Sequence, residues 1–214
     1  RTRIVYITQR TERGPKEVAM MDYDGFGQNL DPVTRYGRLC TSPCWGADGQ
    51  EIYFTSYHQY NPDLFGMRLR DAYVWPISRK AGLNSMADWS PAAQRVVLTL
   101  SKDGNSEIYT CARDGADLRR LTTTRAIDSS PAWSPDGSRI AFVSDRGTGT
   151  PQVFVMNADG SGVRQITSRG RWNDAPAWSP DGQRLAFVSR VEGKFDIFVC
   201  DAMGTPNSYR RLTM

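Results

Sequence analysis

The chain has 214 residues, of which 39% are hydrophobic, 23% charged and 11% aromatic; it is long enough to bury a core and too apolar to be a disordered chain. Its 27 basic and 23 acidic side chains leave a formal charge of +4 with the signs interspersed, so it carries no basic tail of the kind that binds nucleic acid. The longest apolar runs, such as Ile140-Ala141-Phe142-Val143, are strand-sized and far short of the roughly 20 residues a membrane-spanning helix needs.

In chain order, Arg3-Ile4-Val5-Tyr6-Ile7 and Glu17-Val18-Ala19-Met20-Met21 predict two strands, followed by a turn at Asp24-Gly25. Pro43-Cys44-Trp45-Gly46-Ala47-Asp48-Gly49 then begins a longer unit. Strands follow at 51–54 and 63–67, and a weaker one at 73–78 contains Pro76, which favours a sheet edge. Between the first two, 56–62 reads as an inserted loop carrying His58, the sole histidine.

Ala87-Asp88-Trp89-Ser90-Pro91-Ala92-Ala93 starts the same series again, with strands at 95–98, 107–111 and 118–122. Pro131-Ala132-Trp133-Ser134-Pro135-Asp136-Gly137 returns unchanged as Pro176-Ala177-Trp178-Ser179-Pro180-Asp181-Gly182. Trp45, Trp89, Trp133 and Trp178 are separated by 44, 44 and 45 residues. Asp-Gly pairs at Asp114-Gly115 and Asp159-Gly160, with Gly204 in the last unit, supply the positive φ that tight turns require.

Four short strands per unit at a constant period predict an all-β fold, a β-propeller with four-stranded antiparallel blades. The approximate units are 1–38, 39–82, 83–126, 127–171 and 172–214. A parallel βαβ sheet would need crossover helices where the sequence has Gly, Pro, Asp and Ser, and a β-sandwich does not call for a fixed period. The first unit begins at its second strand and the last ends at its fourth. About five blades of a six-bladed ring are therefore expected, with open edges near Ile4 and Leu212 that would promote self-association.

Within this frame the repeated tryptophans are expected between blades, and Asp48, Asp136 and Asp181 are expected to form turns. Cys111 and Cys200 alternate with Met21, Met67 and Met156 at one strand position, which implies apolar packing. Cys40 and Cys44 lie close enough in sequence for a disulfide, but Cys44 matches Ala132 and Ala177, which favours a small packed residue. Arg119-Arg120, Arg164 and Arg210-Arg211 read as charged blunting of outer strand edges.

Candidate binding residues lie five positions before each tryptophan: Cys40, Asn84, Asp128 and Asn173. With Ser85, Ser129 and Asp174 they are expected at the rim of the central channel, where they would bind a polar protein segment. No cofactor is implied. A channel-bound ion would rely on Asp128 and Asp174, and with one histidine the chain offers no zinc cluster.

The WSPDG-type repeats at 133–137 and 178–182, together with Arg3-Ile4-Val5-Tyr6-Ile7 and Asp22-Tyr23-Asp24-Gly25, resemble the TolB-like propeller family over residues 3–214. That resemblance implies a six-bladed propeller preceded by a small α/β domain, a periplasmic or cell-envelope location, and a non-enzymatic role in binding a Pal-like lipoprotein at the channel-rim face. Ala92-Ala93, in place of Asp-Gly, departs from the family pattern.

Two other classes compete with this reading. One is the substrate-gating propeller of a larger hydrolase, although no GxSxG nucleophile elbow occurs in the sequence. The other is a carbohydrate-binding propeller, for which Trp75 and Trp172 are the best aromatic candidates outside the repeat.

Overall fold

The computed structural model describes residues 2–24, 32–205 and 208–213; Gly25 of the first expected turn lies outside them. The chain opens with an antiparallel hairpin, β1 (Arg3–Gln9) and β2 (Lys16–Asp22). Four antiparallel sheets follow, each four strands wide and each in chain order from inner to outer edge. The second blade is β3 (Cys40–Trp45), β4 (Glu51–Gln59), β5 (Asn61–Arg68) and β6 (Tyr73–Ser78). The third is β7 (Asn84–Ser90), β8 (Arg95–Leu100), β9 (Glu107–Cys111) and β10 (Arg119–Arg120). The fourth is β11 (Asp128–Trp133), β12 (Arg139–Ser144), β13 (Gln152–Asn157) and β14 (Arg164–Gln165), and the fifth is β15 (Asn173–Trp178), β16 (Arg184–Val191), β17 (Lys194–Asp201) and β18 (Arg210–Arg211).

This is the expected partial propeller, and its apolar interior is divided seam by seam. Strand alternation sends Ile52 and Phe54 toward the first hairpin, where they pack with Val18, while Tyr53 turns to the third blade and packs with Val96 and Leu98. Val97 and Ile108 meet Trp133 and Ile140 at the next seam, and Ala141 and Val153 meet Leu185 and Phe187 at the last. The repeated tryptophans serve these seams as expected. Trp89 stands edge-on to Tyr53 at 6.3 Å, and the Trp178 indole donates to the Ala132 carbonyl of the preceding blade at 3.0 Å.

The aspartates of the repeat close turns. Asp136 accepts bonds from the Ser134 hydroxyl (2.6 Å) and the Ser138 N–H (3.1 Å), which hold its carboxyl down at about 2. Asp181 repeats this arrangement with Ser179 and Gln183. Gly115 and Gly160 adopt φ of 85° and 89° at the later turns.

Three local expectations change. Residues 56–62 are not an inserted loop: β4 and β5 continue as a hairpin through Tyr60, and His58 stacks on Tyr36 at 5.0 Å. All four cysteines are free thiols, Cys40 and Cys44 included. The segment at 73–78, which looked like the weakest outer strand, is the longest one. The other outer strands shrink to two residues because a threonine interrupts their ladder. Thr122 Oγ1 accepts the Ile108 N–H at 2.9 Å, and the N–H groups of Leu121 and Thr122 converge on the single Ile108 carbonyl. Thr167 acts in the same way on Val153, and Thr213 on Ile197.

The fifth blade presents its far face to solvent. Ile197 is 43% exposed, whereas its counterparts Val18, Leu64, Ile108 and Val153 are all 0% exposed. Ile108→Ala should therefore cost about 2–5 kcal/mol in urea unfolding and Ile197→Ala less than about 1 kcal/mol. Equal costs at the two positions would contradict this packing.

Candidate interaction surface at the channel mouth

The four inner strands β3, β7, β11 and β15 lie side by side and run in the same direction, so their first residues mark one end of the central channel. Each strand carries a bulge where its register with the next strand slips: between Thr41 and Cys44, Ser85 and Asp88, Ser129 and Ala132, and Asp174 and Ala177. The extra residue takes a left-handed conformation in every case, at Ser42 (φ 50°), Met86 (φ 55°), Ser130 (φ 50°) and Ala175 (φ 51°). Such backbone is disfavoured for residues other than glycine, and its fourfold recurrence marks a constraint common to the four inner strands. These residues line a channel space of about 730 Å³ together with Asp88 and Asp174.

Burial divides the seven expected rim residues. Cys40, Asn84, Asp128 and Asn173 are each 0% exposed and Ser85 is 4% exposed, so the structure removes these five from direct contact with a partner. Of the first four, Cys40, Asn84 and Asn173 reach side chains of the preceding blade, and Asp128 pairs within its own. Asn84 accepts from the Ser78 hydroxyl at 2.6 Å and donates to the Lys80 and Gly82 carbonyls at 2.7 and 3.0 Å. Asn173 donates to Gln152 Oε1 at 2.8 Å, and the same oxygen accepts from the Thr167 hydroxyl at 2.8 Å. Asp128 pairs with Arg146 at 2.6 Å, yet burial still pushes its carboxyl above the usual range. The Cys40 thiol approaches Ser56 and Glu17 at 3.7 and 3.6 Å, and burial raises it to about 11.

Ser129 and Asp174 remain partly exposed. Asp174 accepts from the Ser130 hydroxyl at 2.8 Å and the Ala175 N–H at 2.6 Å. Asp128 is committed to Arg146 in its seam while Asp174 lies on the channel wall, and among the described residues no three His, Cys, Asp or Glu side chains gather as a metal site.

The exposed residues at the mouth are one position earlier. Leu39 (38% exposed), Ile127 (55%) and Trp172 (42%) stand immediately before the buried residues Cys40, Asp128 and Asn173, and the half-buried Leu83 precedes Asn84. Their connectors are tied down: the Leu39, Leu83 and Trp172 carbonyls accept from the N–H groups of Tyr57, Ser101 and Arg190, and the Ile127 N–H donates to Asp145 at 2.8 Å. The result is an apolar crown on rigid backbone around the channel mouth. The sequence did carry its signal, a large apolar residue in each otherwise polar connector.

Residues 1–214 match the PD40 family, the TolB beta propeller domain. The chain belongs to the TolB β-propeller family. It is 35% identical over 149 residues to the Protein TolB homolog of Chlorobium luteolum, covering 70% of this chain and 33% of that protein. It is 44% identical over 132 residues to the Tol-Pal system protein TolB of Anaeromyxobacter dehalogenans, covering 62% of this chain and 29% of that one. The crystal structure of TolB from Acinetobacter baumannii superposes with a TM-score of 0.86 at 27% identity, covering 99% of this chain and 52% of that chain. The chain thus spans about a third of the curated TolB relatives it matches and about half of that solved chain.

One channel residue departs from the repeat. Where the other blades have Cys44, Ala132 and Ala177, the third has Asp88, whose carboxylate accepts the N–H groups of Trp133 in the next blade (2.7 Å) and Trp89 (3.0 Å). Burial pushes the Asp88 carboxyl up to about 6 despite these bonds. A carboxyl raised in the folded state stabilises fully below its unfolded value of 3.8, and that contribution is lost as pH rises through about 6. Asp88→Asn should therefore flatten a pH-dependent loss on the order of 3 kcal/mol between about pH 4 and pH 7, measured by urea unfolding. An unchanged pH profile would contradict it.

Proposed function

We propose that this chain is a docking module of the Tol-Pal type, whose channel-mouth face receives a Pal-like lipoprotein in the periplasm. The apolar crown is the observation that carries this reading. Ile127 and Trp172 are large apolar side chains left 55% and 42% exposed on connectors tied down by hydrogen bonds. Aromatic and aliphatic anchors of this kind, set beside a concave space, supply the centre of protein interfaces.

The polar groups of the channel wall complement that crown. Ser130 and Asp174 offer hydrogen-bonding groups just inside the mouth, and the left-handed backbone at Ser42, Met86, Ser130 and Ala175 shapes the wall they stand on. A folded partner would seat its apolar surface on Leu39, Leu83, Ile127 and Trp172, with a polar segment reaching toward Asp174. The names of the Anaeromyxobacter relatives, which place them in a Tol-Pal system, support this choice of partner.

The test is calorimetric titration with the soluble domain of a Pal-like lipoprotein. The double variant Ile127→Ser/Trp172→Ala should weaken binding by about 100-fold or more, as expected when interface anchors are truncated, with an unchanged thermal midpoint. Full retention of affinity in that variant would refute the crown as the docking face.

A further inference from the structure

The second blade carries a feature that channel-mouth docking leaves unused. Its outer strand β6 runs for six residues, whereas β10, β14 and β18 have two each. The additional length places Tyr73 and Trp75 two positions apart on one face, with their rings near-parallel at a centroid distance of 6.1 Å and an angle of 20°. Gly66 makes room beneath: a Cβ there would lie 2.3 Å from the Trp75 ring. Tyr53 meets Trp75 edge-on at 6.4 Å, and its indole N–H donates to the Arg113 carbonyl at 3.1 Å. Trp75 is therefore fixed from several sides, while Tyr73 remains 57% exposed.

These rings open onto a cavity of about 710 Å³ between the second and third blades, within the usual size of a small-ligand site. It lies among the turns that join first to second and third to fourth strands, at the end of the propeller opposite the crown. Its polar lining is Arg68, Gln94, Arg113 and Asp114. Both arginines are already matched by carboxylates: Arg68 is bidentate to Asp71 at 2.8–3.1 Å, and Arg113 pairs with buried Glu51.

The geometry points to a site for a neutral oligosaccharide, with a sugar ring packed on the part of Tyr73 that Arg68, 5.2 Å over its ring, and Trp75 leave open, and its hydroxyls bonded to the paired charges around it. A hydroxyl donates and accepts at once, so one group can bridge a guanidinium and its carboxylate without separating them. An acidic sugar would meet Asp114 along with the arginines, and would have to displace Asp71 or Glu51 from them to gain a charged bond. A proline-rich peptide docks in aromatic grooves, but the Trp75 indole N–H that would serve its carbonyls is already given to Arg113. The pre-formed rings also require little ordering on binding.

The test is retention of the labelled 214-residue chain on an array bearing neutral oligosaccharides, uronic-acid oligosaccharides and proline-rich peptides. Retention on neutral oligosaccharides is expected, falling by about tenfold in Tyr73→Ala and preserved in Tyr73→Phe, with thermal midpoints unchanged. Ile127→Ser/Trp172→Ala should leave it intact, which separates this site from the channel mouth. The proposal is overturned by an absence of retention on neutral oligosaccharides, by retention confined to acidic sugars or peptides, or by retention indifferent to Tyr73→Ala.

Discussion

The structure depends on a buried polar clasp repeated at each seam. A threonine or serine near the end of each blade, Thr34, Ser78, Thr122 or Thr167, sits beside the first residue of the next inner strand, Cys40, Asn84, Asp128 or Asn173, and all eight are 6% exposed or less. Unpaired, such groups would each cost on the order of 1–3 kcal/mol, so the clasp fixes one blade against the next instead of merely tolerating contact. Apolar packing alone would let neighbouring sheets slide; hydrogen bonds of defined direction at one end of each seam set the angle between them. In the fifth blade Thr213 bonds Asp196 of its own third strand at 3.0 Å, as Thr167 bonds Gln152 in the fourth.

The clasp also decides where a partner can touch. It draws the first residue of every inner strand inward, and the residue before it is left standing at the mouth as Leu39, Leu83, Ile127 or Trp172. Stability and surface are consequently linked by chain connectivity, with a one-residue step between a group that holds the ring together and a group that faces outward. Beyond the step, the bulges at Ser42, Met86, Ser130 and Ala175 return each inner strand to register before its tryptophan reaches the seam.

The blades were legible in the sequence because their turns are. The Trp-Ser-Pro-Asp-Gly runs and the Asp-Gly pairs encode specific backbone shapes, and their period places the strands between them. The site was legible only to within one residue. Alternation in a strand distinguishes two faces, but at a connector it does not show which neighbour turns inward, and the polar character of Asn84, Asp128 and Asn173 argued for solvent, whereas Asn84 and Asn173 bond to the preceding blade and Asp128 to Arg146 of its own. The outer strands misled for a similar reason: Thr122 and Thr167 continue the apolar pattern while their hydroxyls replace the ladder. Trp75 stood out in the sequence as an aromatic outside the repeat, in a weaker copy of the outer strand, but that it and Tyr73 share a cavity with the third blade depends on packing between blades that a strand pattern does not encode.

Hydroxyl-radical footprinting of the free chain tests the central claim, the one-residue step at each seam, most directly. Leu39, Ile127 and Trp172 should label rapidly, while Trp133 and the clasp residue Cys40, intrinsically more reactive than leucine or isoleucine, stay protected in the same sample. Rapid labelling of Cys40 and Trp133 with protection of Ile127 and Trp172 would reverse the assignment of inner and outer positions and contradict the account.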